Sequence, residues 1–304
     1  MQDDHDTPKV DIIVLNWNSY EDTSNCLRSL ERIDYPRYKV TVIDNGSTDN
    51  SGERLSAEFG QADFIFNDDN MGFAGGCNVG INQVTEGSSP ADYVLLLNND
   101  TVVESDFLDR LVCVAEKHED IACVGGVIND SSGQVWFAGG RFIPYLCRGS
   151  HIQEVESDEP YETDFVTGAM MLVDSGFLSS HGGLNEDYFF GMEDLDLCLT
   201  AQEQDLKLLI SPEARATHNV SSSAGRRSPF KYYHSTRNRL QLASNHLSMK
   251  YKIFFYVLFA ITRFARGTQW GLSGRFDLIR SVWSAIADHR DKEPFKKPED
   301  FSHE

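Results

Sequence analysis

The sequence predicts an α/β fold, in which a mostly parallel, Rossmann-like sheet is flanked by helices and followed by a helical C-terminal extension. Short apolar runs alternate with amphipathic segments over residues 10–97, a pattern typical of parallel βαβ units. The run Tyr93–Leu97 is apolar on both faces, which indicates a central strand. It stops abruptly at Asn98, Asn99 and Asp100. Because ligands bind at the carboxyl ends of strands in such sheets, we expect the functional site there.

The first half of the chain alternates predicted strands and helices at short intervals. The predicted strands are Val10–Leu15, Tyr38–Ile43, Ala62–Phe66 and Tyr93–Leu97. The predicted helices are Glu21–Leu30, Ser51–Phe59 and one that begins in the glycine-containing stretch Met71–Gly80. Each strand is followed by Asn, Asp, Ser or Gly. Such residues form turns and helix caps or, at four strand ends along one edge, line a ligand pocket.

The second half is less regular. It contains a predicted helix Ser105–His118, strands at Ile121–Ile128, Phe165–Val173 and Lys207–Ile210, a helical turn at Ser175 and a helix beginning near Glu193. Residues 129–163 are predicted to be irregular, and a loop of this length in a compact domain is usually functional or mobile. The stretch 232–240 is predicted to start the C-terminal helices.

Charge is distributed unevenly along the 304 residues. The chain has 47 Asp+Glu and 27 Lys+Arg, yet residues 226–297 contain 15 Lys+Arg and only 4 Asp+Glu. We therefore predict a domain over residues 8–222 and a basic helical extension over residues 223–304. The basic part suits an anionic membrane surface, whereas the acidic remainder argues against nucleic-acid binding. A high-salt cytoplasm is another source of such acidity.

Cysteine usage and the apolar runs bound the cellular setting. The six cysteines form no Cys-x-x-Cys pair, so no zinc or dithiol motif is indicated, and the polar start of the chain does not resemble a signal peptide. We expect a cytoplasmic protein. The longest apolar run of the tail, Ile253–Ile261, has nine residues, against about 20 needed to span a bilayer. It forms either a core helix or an interfacial helix on the inner face of the cell membrane.

The polar strand ends predict a nucleotide pocket. Trp17 could stack on a base, and Asp44 could accept a hydrogen bond from a base or ribose. The stretch Gly72–Gly80 would permit a close backbone approach to phosphate or ribose. It is neither a G-x-G-x-x-G fingerprint after the first strand nor a Walker loop with its lysine, so dinucleotide oxidoreductases and P-loop NTPases are disfavoured.

Two acidic positions carry the predicted chemistry. Asp100, at a strand end, could hold a divalent metal; a polar turn is the simpler interpretation. Asp194 and Glu193 lie in the first turn of a predicted helix, where acids often only complement the helix dipole. A carboxylate held there could instead act as a general base. A lone histidine such as His218 is by itself usually a surface or core residue.

Five motifs in order resemble one enzyme family. They are Val14–Asn18, Val42–Asp49, Asn70–Asn78, Leu96–Asp100 and Glu193–Cys198. Together they are similar to the family 2 glycosyltransferases of the GT-A fold, and most to their rhamnosyltransferase-like subgroup. The resemblance covers about residues 10–240.

The resemblance implies roles for individual residues. Asp100 corresponds to the last acid of a D-x-D-type motif that binds Mg²⁺ or Mn²⁺ at the donor diphosphate, with His218 as a further metal ligand. Asp194, with Glu193 beside it, corresponds to the base that deprotonates the acceptor hydroxyl for a single displacement with inversion. The nucleotide sugar would be bound by Leu15, Asn16, Trp17, Asn18, Asp44, Asn70, Gly72, Gly76, Asn78, Asn98 and Asn99.

Two departures from the family pattern shape the prediction. Thr200 stands where the subgroup usually has arginine, and the Gln-x-x-Arg-Trp motif of processive members is absent from the sequence. We therefore expect addition of one or a few sugars, rhamnose among the candidates, to a glycan or lipid-linked acceptor. The alternatives are a sugar-1-phosphate nucleotidyltransferase and a non-catalytic nucleotide-sugar-binding subunit. The first of these would require a basic Gly-rich loop after the first strand.

Overall fold

The computed structural model describes residues 7–85, 90–219 and 228–301. The strands are β1 (Val10–Asn16), β2 (Tyr38–Asp44), β3 (Asp63–Phe66), β4 (Tyr93–Asn98), β5 (Thr101–Val103), β6 (Ile121–Asp130), β7 (Val135–Phe137), β8 (Gly140–Ile143), β9 (Arg148–His151), β10 (Tyr161–Glu162), β11 (Met170–Asp174) and β12 (Lys207–His218). The helices are α1 (Tyr20–Leu30), α2 (Ser51–Glu58), α3 (Gly72–Thr85), α4 (Phe107–Ala115), α5 (Ser175–Ser180), α6 (Glu193–Gln202), α7 (Pro229–His246), α8 (Met249–Leu272) and α9 (Phe276–Asp291). Short 3-10 helices cover Pro144–Leu146 and Pro298–Phe301. The predicted α/β fold with a helical C-terminal part is confirmed.

One large sheet organises the α/β part. Its main path is β10-β12-β6-β11-β4-β1-β2-β3. From β3 to β4 the neighbouring strands are parallel, as the βαβ pattern predicts. β11 then runs antiparallel to both β4 and β6, so the sheet is mixed from that point onwards. In β4, Val94 and Leu95 are fully buried, which confirms that this strand is central.

The segment 129–163, predicted to be irregular, contains strands β7 to β10. Each has only two to four residues, too few for a period-two pattern to show in the sequence. β8 and β9 pair with each other, while β7 pairs with β6 and β10 with β12. The prediction of an irregular segment was therefore wrong.

Two strand boundaries also differ from the prediction. β11 begins at Met170 and not at Phe165, because the Met170 N–H donates to the Thr167 carbonyl at 3.2 Å in a turn. β12 continues to His218 instead of ending at Ile210. Its pairing with β6 shifts register between Ser211 and Arg215, so Pro212 lies at an irregularity, where its missing N–H does not interrupt the ladder.

Helix α3 contains most of the glycine-containing stretch. A Cβ at Gly76 would lie 2.5 Å from Leu15 Cδ1, and one at Gly80 would lie 3.0 Å from Ile43 Cδ1. These two glycines therefore let α3 pack closely against β1 and β2. That packing is a use of glycine that the sequence pattern alone did not distinguish from a close approach to phosphate.

The chain divides into two compact units. The first comprises Met1–Arg141, His151–Glu186 and Glu193–Ser221. The second comprises Phe142–Ser150, Asp187–Met192 and Ser222–Glu304, so two internal segments belong with the C-terminal helices. The predicted boundary between residues 222 and 223 lies outside the described residues.

The second unit is built on α7, α8 and α9. Arg237 of α7 is buried and donates to the Asp187 carbonyl at 2.7 Å, and Asn238 donates to the Gly191 carbonyl at 2.7 Å. These bonds explain why Asp187–Met192 belongs to this unit. Although α8 is 24 residues long, no helix among the described residues is long and apolar enough to cross a membrane.

Candidate functional site

The carboxyl ends of β4, β1 and β2 lie side by side in the first unit. Leu15 pairs with Asn98, and Asn16 pairs with Asp44. The prediction that these polar strand ends share one edge of the sheet is confirmed. The edge therefore brings together three of the predicted binding motifs.

Asn16 connects several of these strand ends through hydrogen bonds. Its side chain is fully buried, and its Nδ2 donates to Asp44 Oδ1 at 2.7 Å and to Ser51 Oγ at 3.0 Å. Its Oδ1 accepts from Thr23 Oγ1 at 2.8 Å, and that hydroxyl accepts from Asn99 Nδ2 at 2.8 Å. Thr23 therefore links the end of β4 to the end of β1. Sequence reasoning missed Thr23, whose only signal is a polar residue on the buried face of α1.

Asp44 is held in place by its protein neighbours. Its carboxylate is 5% exposed and accepts from Ser47 Oγ at 2.6 Å and from Ser47 N–H at 3.1 Å. A Cβ at Gly52 would lie 2.5 Å from Asp44 Cγ, so only glycine allows α2 to start against this carboxylate. The result is an acceptor of fixed orientation at the end of β2.

Trp17 and Asn18 form the exposed part of this edge. Trp17 is 43% exposed, which leaves a ring face available for stacking. Asn18 has a φ of +50°, a left-handed conformation that asparagine tolerates better than most residues. Its Oδ1 accepts from Thr48 N–H at 2.7 Å, so its side chain holds the β2–α2 connection beside the tryptophan.

The start of α3 is organised by Asn45, a residue of the second motif. Asn45 is 1% exposed; its Nδ2 donates to Asn70 Oδ1 at 3.1 Å and to the Gly72 carbonyl at 3.0 Å. Gly72 has a φ of +77°, which a side chain would strain. Asn70 accepts from the Gly72 N–H at 2.8 Å. Asn70 and Gly72 are thus brought to the same edge as Asp44.

Asn78 lies deeper than the other predicted binding residues. It is 4% exposed, and its Nδ2 donates to the Leu184 carbonyl at 2.8 Å and to Glu186 Oε1 at 2.9 Å. Its Oδ1 accepts from the Leu184 N–H at 2.8 Å. These contacts fix the segment that precedes the described start of α6, and they occupy the amide of Asn78 with protein partners.

Asp100 and His218 form the candidate metal site. Residue Thr101 of β5 pairs with His218 of β12, and the Asn219 N–H donates to the Asp100 carbonyl at 2.8 Å. This register places His218 Nε2 2.7 Å from Asp100 Oδ1, so the two side chains are in direct contact. Since β12 was predicted to stop at Ile210, strand geometry did not predict this pairing.

The two residues fit Mg²⁺ or Mn²⁺ only as part of a shared shell. No cluster of three or more His, Cys, Asp or Glu that could hold a metal occurs in the described part of the chain. Mg²⁺ commonly uses one or two protein ligands and completes its shell with substrate phosphates and water. The Asp100 carboxylate is a ligand type that suits both Mg²⁺ and Mn²⁺. The donor set therefore fits a cation that is held jointly with a diphosphate.

Asp194 lies in the first turn of α6. Its Oδ2 accepts from the Gly168 N–H at 3.1 Å and its Oδ1 from the Leu195 N–H at 2.8 Å. Desolvation raises the pKa of the Asp194 carboxyl, and these backbone hydrogen bonds only partly oppose the effect. A raised pKa makes the carboxylate a better proton acceptor. The neighbouring Glu193 is 7% exposed, which leaves Asp194 as the more accessible of the two acids.

Trp136 and His151, two aromatic residues of the segment 129–163, lie near His218 and Asp194. Neither of them was identified from the sequence. The Trp136 ring lies 4.7 Å from the His218 ring and 4.5 Å from the His151 ring, between centroids. The His151 ring is desolvated, which lowers its pKa, while the nearby Asp194 carboxylate raises it. His151 is thus close enough to influence both Asp194 and His218. The only sequence signal was the expectation of a functional loop.

A protein-family model described as "Glycosyl transferase family 2" matches residues 11–177. A curated relative from Mycobacterium tuberculosis (strain CDC 1551 / Oshkosh), named N-acetylglucosaminyl-diphospho-decaprenol L-rhamnosyltransferase, is 24% identical over 243 residues. The alignment covers 72% of this chain and 79% of that protein.

Solved structures show the same fold. GalNAc-T7 with UDP, GalNAc and Mn²⁺ superposes with a TM-score of 0.65 at 16% identity, covering 83% of this chain and 50% of that one. This chain thus spans about half the length of that protein. TarS 1–349 from S. aureus in complex with UDP-GlcNAc gives a TM-score of 0.61 at 18% identity, covering 92% and 80%. The first unit with its flanking helices therefore has a GT-A-like fold.

Proposed function

The chain belongs to glycosyl transferase family 2, and on that premise we propose that it is a metal-dependent, inverting glycosyltransferase using a nucleoside-diphosphate sugar. The observation that carries the proposal is the arrangement of two acidic groups. Asp100 pairs with His218, while Asp194 is a separate carboxylate with a raised pKa. The Asp100–His218 pair is suited to bind a cation, and the Asp194 carboxylate is suited to accept a proton.

The donor would be held along the edge formed by β1, β2 and β4. In this proposal the exposed ring of Trp17 stacks on the nucleobase, and the fixed Asp44 carboxylate accepts from a base or ribose donor. Leu15, Asn18, Asn70, Gly72, Asn98 and Asn99 line the rest of the nucleotide-sugar site. Asn16, Gly76 and Asn78 support this site without touching the ligand, because their contacts are with protein groups.

Asp100 and His218 would hold the cation at the diphosphate. When bound, a divalent cation supplies neutralisation of the negative charge that develops on the leaving diphosphate. The chain contributes the carboxylate charge and the ring orientation of His218, which packs against Trp136. The Thr101–His218 register fixes the distance between the two side chains.

Asp194 would act as the general base. Its carboxylate takes the proton from the acceptor hydroxyl while the hydroxyl oxygen forms a bond to the anomeric carbon. The bond from that carbon to the diphosphate oxygen breaks, and both of its electrons leave with the diphosphate. A single displacement of this kind inverts the anomeric centre. The Gly168 and Leu195 N–H groups keep the carboxylate oriented.

The acceptor in this proposal is a hydroxyl of a glycan or lipid-linked precursor, with rhamnose as the leading candidate sugar. Support comes from the name of the M. tuberculosis relative, an L-rhamnosyltransferase with a diphospho-decaprenol substrate. Further support comes from exposed apolar residues of α8 and α9, such as Leu272 at 88%, Ile253 at 59% and Phe276 at 57%. With the basic surplus of residues 226–297, they suit peripheral attachment to the anionic inner face of a cell membrane.

The test compares the parent with Asp194→Asn. Nucleoside-diphosphate sugars are first screened by thermal shift with Mn²⁺, since a bound ligand raises apparent stability. We expect Asp194→Asn to bind the selected donor normally but to transfer its sugar about 10³-fold more slowly, as removal of a general base predicts. Glu203→Gln, an exposed change just beyond α6, is the matched control and should retain parent activity.

Each contrary result has a defined meaning. Full activity of Asp194→Asn would remove the base role. Equal inactivity of parent and mutant, with donor binding retained in both, would instead indicate a non-catalytic nucleotide-sugar-binding subunit. Formation of a nucleoside-diphosphate sugar from a sugar 1-phosphate and a nucleoside triphosphate would indicate the nucleotidyltransferase alternative.

A further inference from the structure

The second unit contains an apolar groove between helices. The groove is lined by residues of α7, α8 and α9. Its volume of about 810 Å³ lies within the range typical of ligand sites. Phe259, Phe264, Trp270, Trp283 and Ile286 line it together with Arg263. Phe264 and Trp283 are 80% and 66% exposed. Large apolar side chains left open around a concavity usually mark a binding site.

A group of arginines accompanies this groove. Arg239, Arg263 and Arg266 are close enough for their charges to repel one another. Burial, followed by repulsion from Arg239 and Arg266, lowers the pKa of Arg263 to about 10. Their hydrogen bonds go to neutral oxygens: the Leu146 carbonyl and the hydroxyls of Thr236 and Tyr232.

The Arg263 side chain lies inside the apolar lining. Its guanidinium carbon is 5.1 Å from the centroid of the Phe259 ring, and Phe259 also lines the groove. Within the described ranges, its Nε is buried and has no hydrogen-bond partner. A cation in this position is complemented by an anion that is joined directly to an apolar chain.

From these contacts we infer that the groove binds the isoprenoid chain of a prenyl diphosphate, with Arg263 meeting the phosphate end. This inference rests on the proposed transfer to a lipid-linked acceptor. A bilayer surface would contact protruding residues, and a free phosphate ion would leave the apolar lining exposed. One long apolar chain with a terminal anion satisfies both features of the groove.

The structure offers a matched pair of substitutions on α8. A Cβ at Gly267 or at Gly271 would meet no heavy atom within 4 Å. Gly267 lines the groove, whereas Gly271 is not one of its lining residues. Gly267→Leu should therefore fill the groove without a clash, and Gly271→Leu controls for the same change outside it. Both substitutions favour a helix, by about 1 kcal/mol relative to glycine, so the folded state should be retained.

Binding is measured by titration calorimetry on the full chain without any donor, with farnesyl diphosphate as the probe. We expect Gly267→Leu to weaken binding at least ~10-fold, as loss of about two buried methylene contacts predicts, while Gly271→Leu stays within about twofold of the parent. Inorganic pyrophosphate and farnesol should each bind at least ~10-fold more weakly than farnesyl diphosphate. Arg263→Gln should lower the affinity for farnesyl diphosphate and leave farnesol binding unchanged.

Several results would overturn the inference. Equal affinities of the parent and Gly267→Leu would remove the groove as the site. Pyrophosphate binding as tight as that of farnesyl diphosphate would indicate a free-phosphate site. Binding to phosphatidylglycerol vesicles but not to farnesyl diphosphate would indicate a membrane surface only.

This assay is independent of turnover. If neither the parent nor any variant transfers sugar, but Gly267→Leu binds farnesyl diphosphate more weakly than the parent and Gly271→Leu does not, the proposed function fails and the groove stands. If transfer to a water-soluble acceptor depends on Asp194 while the parent does not bind farnesyl diphosphate, the groove fails and the proposed function stands.

Discussion

The two units of the chain treat polar groups in opposite ways. In the first, the buried amides and carboxylates at the strand ends bond mainly to one another, as Asn16, Thr23 and Asp44 do. In the second, Arg239, Arg263 and Arg266 donate to neutral oxygens, and large apolar side chains stay open. Mutual hydrogen bonds fix a site for a small, well-defined ligand. Positive charge and apolar surface that have no anionic or apolar protein partner suit a large amphipathic ligand.

The largest effect that tests this contrast is loss of the candidate metal pair. Asp100→Asn should lower kcat/KM for transfer about 10³-fold, because several kcal/mol of charge stabilisation at the diphosphate are lost. The Mn²⁺-dependent thermal shift with nucleoside diphosphate should disappear as well. Asp109→Asn, an exposed change on α4, is the control. Full activity of the parent in EDTA would contradict the metal role.

The second effect is a loss of about 3 kcal/mol of stability in the second unit as the pH falls. His234 of α7 is fully buried and contacts the Lys296 carbonyl at 2.9 Å. Burial lowers the pKa of His234 from 6.5 to about 4, so the unfolded chain takes up the proton first as pH falls. Stability conferred by the neutral ring is complete above pH ~6.5 and is lost progressively down to pH ~4, by about 3 kcal/mol.

Hydrogen exchange of peptides from α7 measures this loss. Protection should fall between pH ~6.5 and ~4 after correction for intrinsic exchange rates. His234→Gln keeps a donor for the Lys296 carbonyl and should reduce the pH dependence, whereas His181→Gln, on an exposed residue of the first unit, should not. An identical pH dependence in parent and His234→Gln would exclude His234 as the cause.

A smaller effect tests the mutual bonding in the first unit. Thr23→Val keeps the side-chain shape but removes the hydroxyl that joins Asn16 to Asn99. Leaving a buried acceptor without its donor costs about 1–3 kcal/mol. We expect Thr23→Val to bind the nucleotide sugar roughly 10-fold more weakly in calorimetry. Thr23→Ser, which keeps a hydroxyl, should bind it about as tightly as the parent. Unchanged binding in Thr23→Val would show that the link does not shape the donor site.

The smallest effect concerns the acid side of the pH–rate profile. Because desolvation raises the pKa of Asp194, kcat/KM should fall at a higher pH than an ordinary aspartate would allow as the solution is made more acidic. The base works only when deprotonated, so activity is present above this pKa and lost below it. A profile that stays flat down to the ordinary aspartate range would contradict the environment described for Asp194.

The sequence predicted the parts of the site that are local in the chain. Alternating apolar runs and their polar stops located Asn16, Asp44 and Asn98, because strand ends depend on nearby residues. His218 was reached only by resemblance to a family, since its place beside Asp100 depends on β12 continuing past Pro212. Thr23 and His151 were missed because they join the site through contacts between segments far apart in the sequence.

The most direct test of the central claim is the anomeric configuration of the product. Transfer from the donor selected by thermal shift is followed by proton NMR, in which the coupling or one-bond carbon–proton constant of the new linkage identifies its anomer. A single displacement assisted by Asp194 predicts the configuration opposite to that of the donor. Retention of the donor configuration would contradict the account.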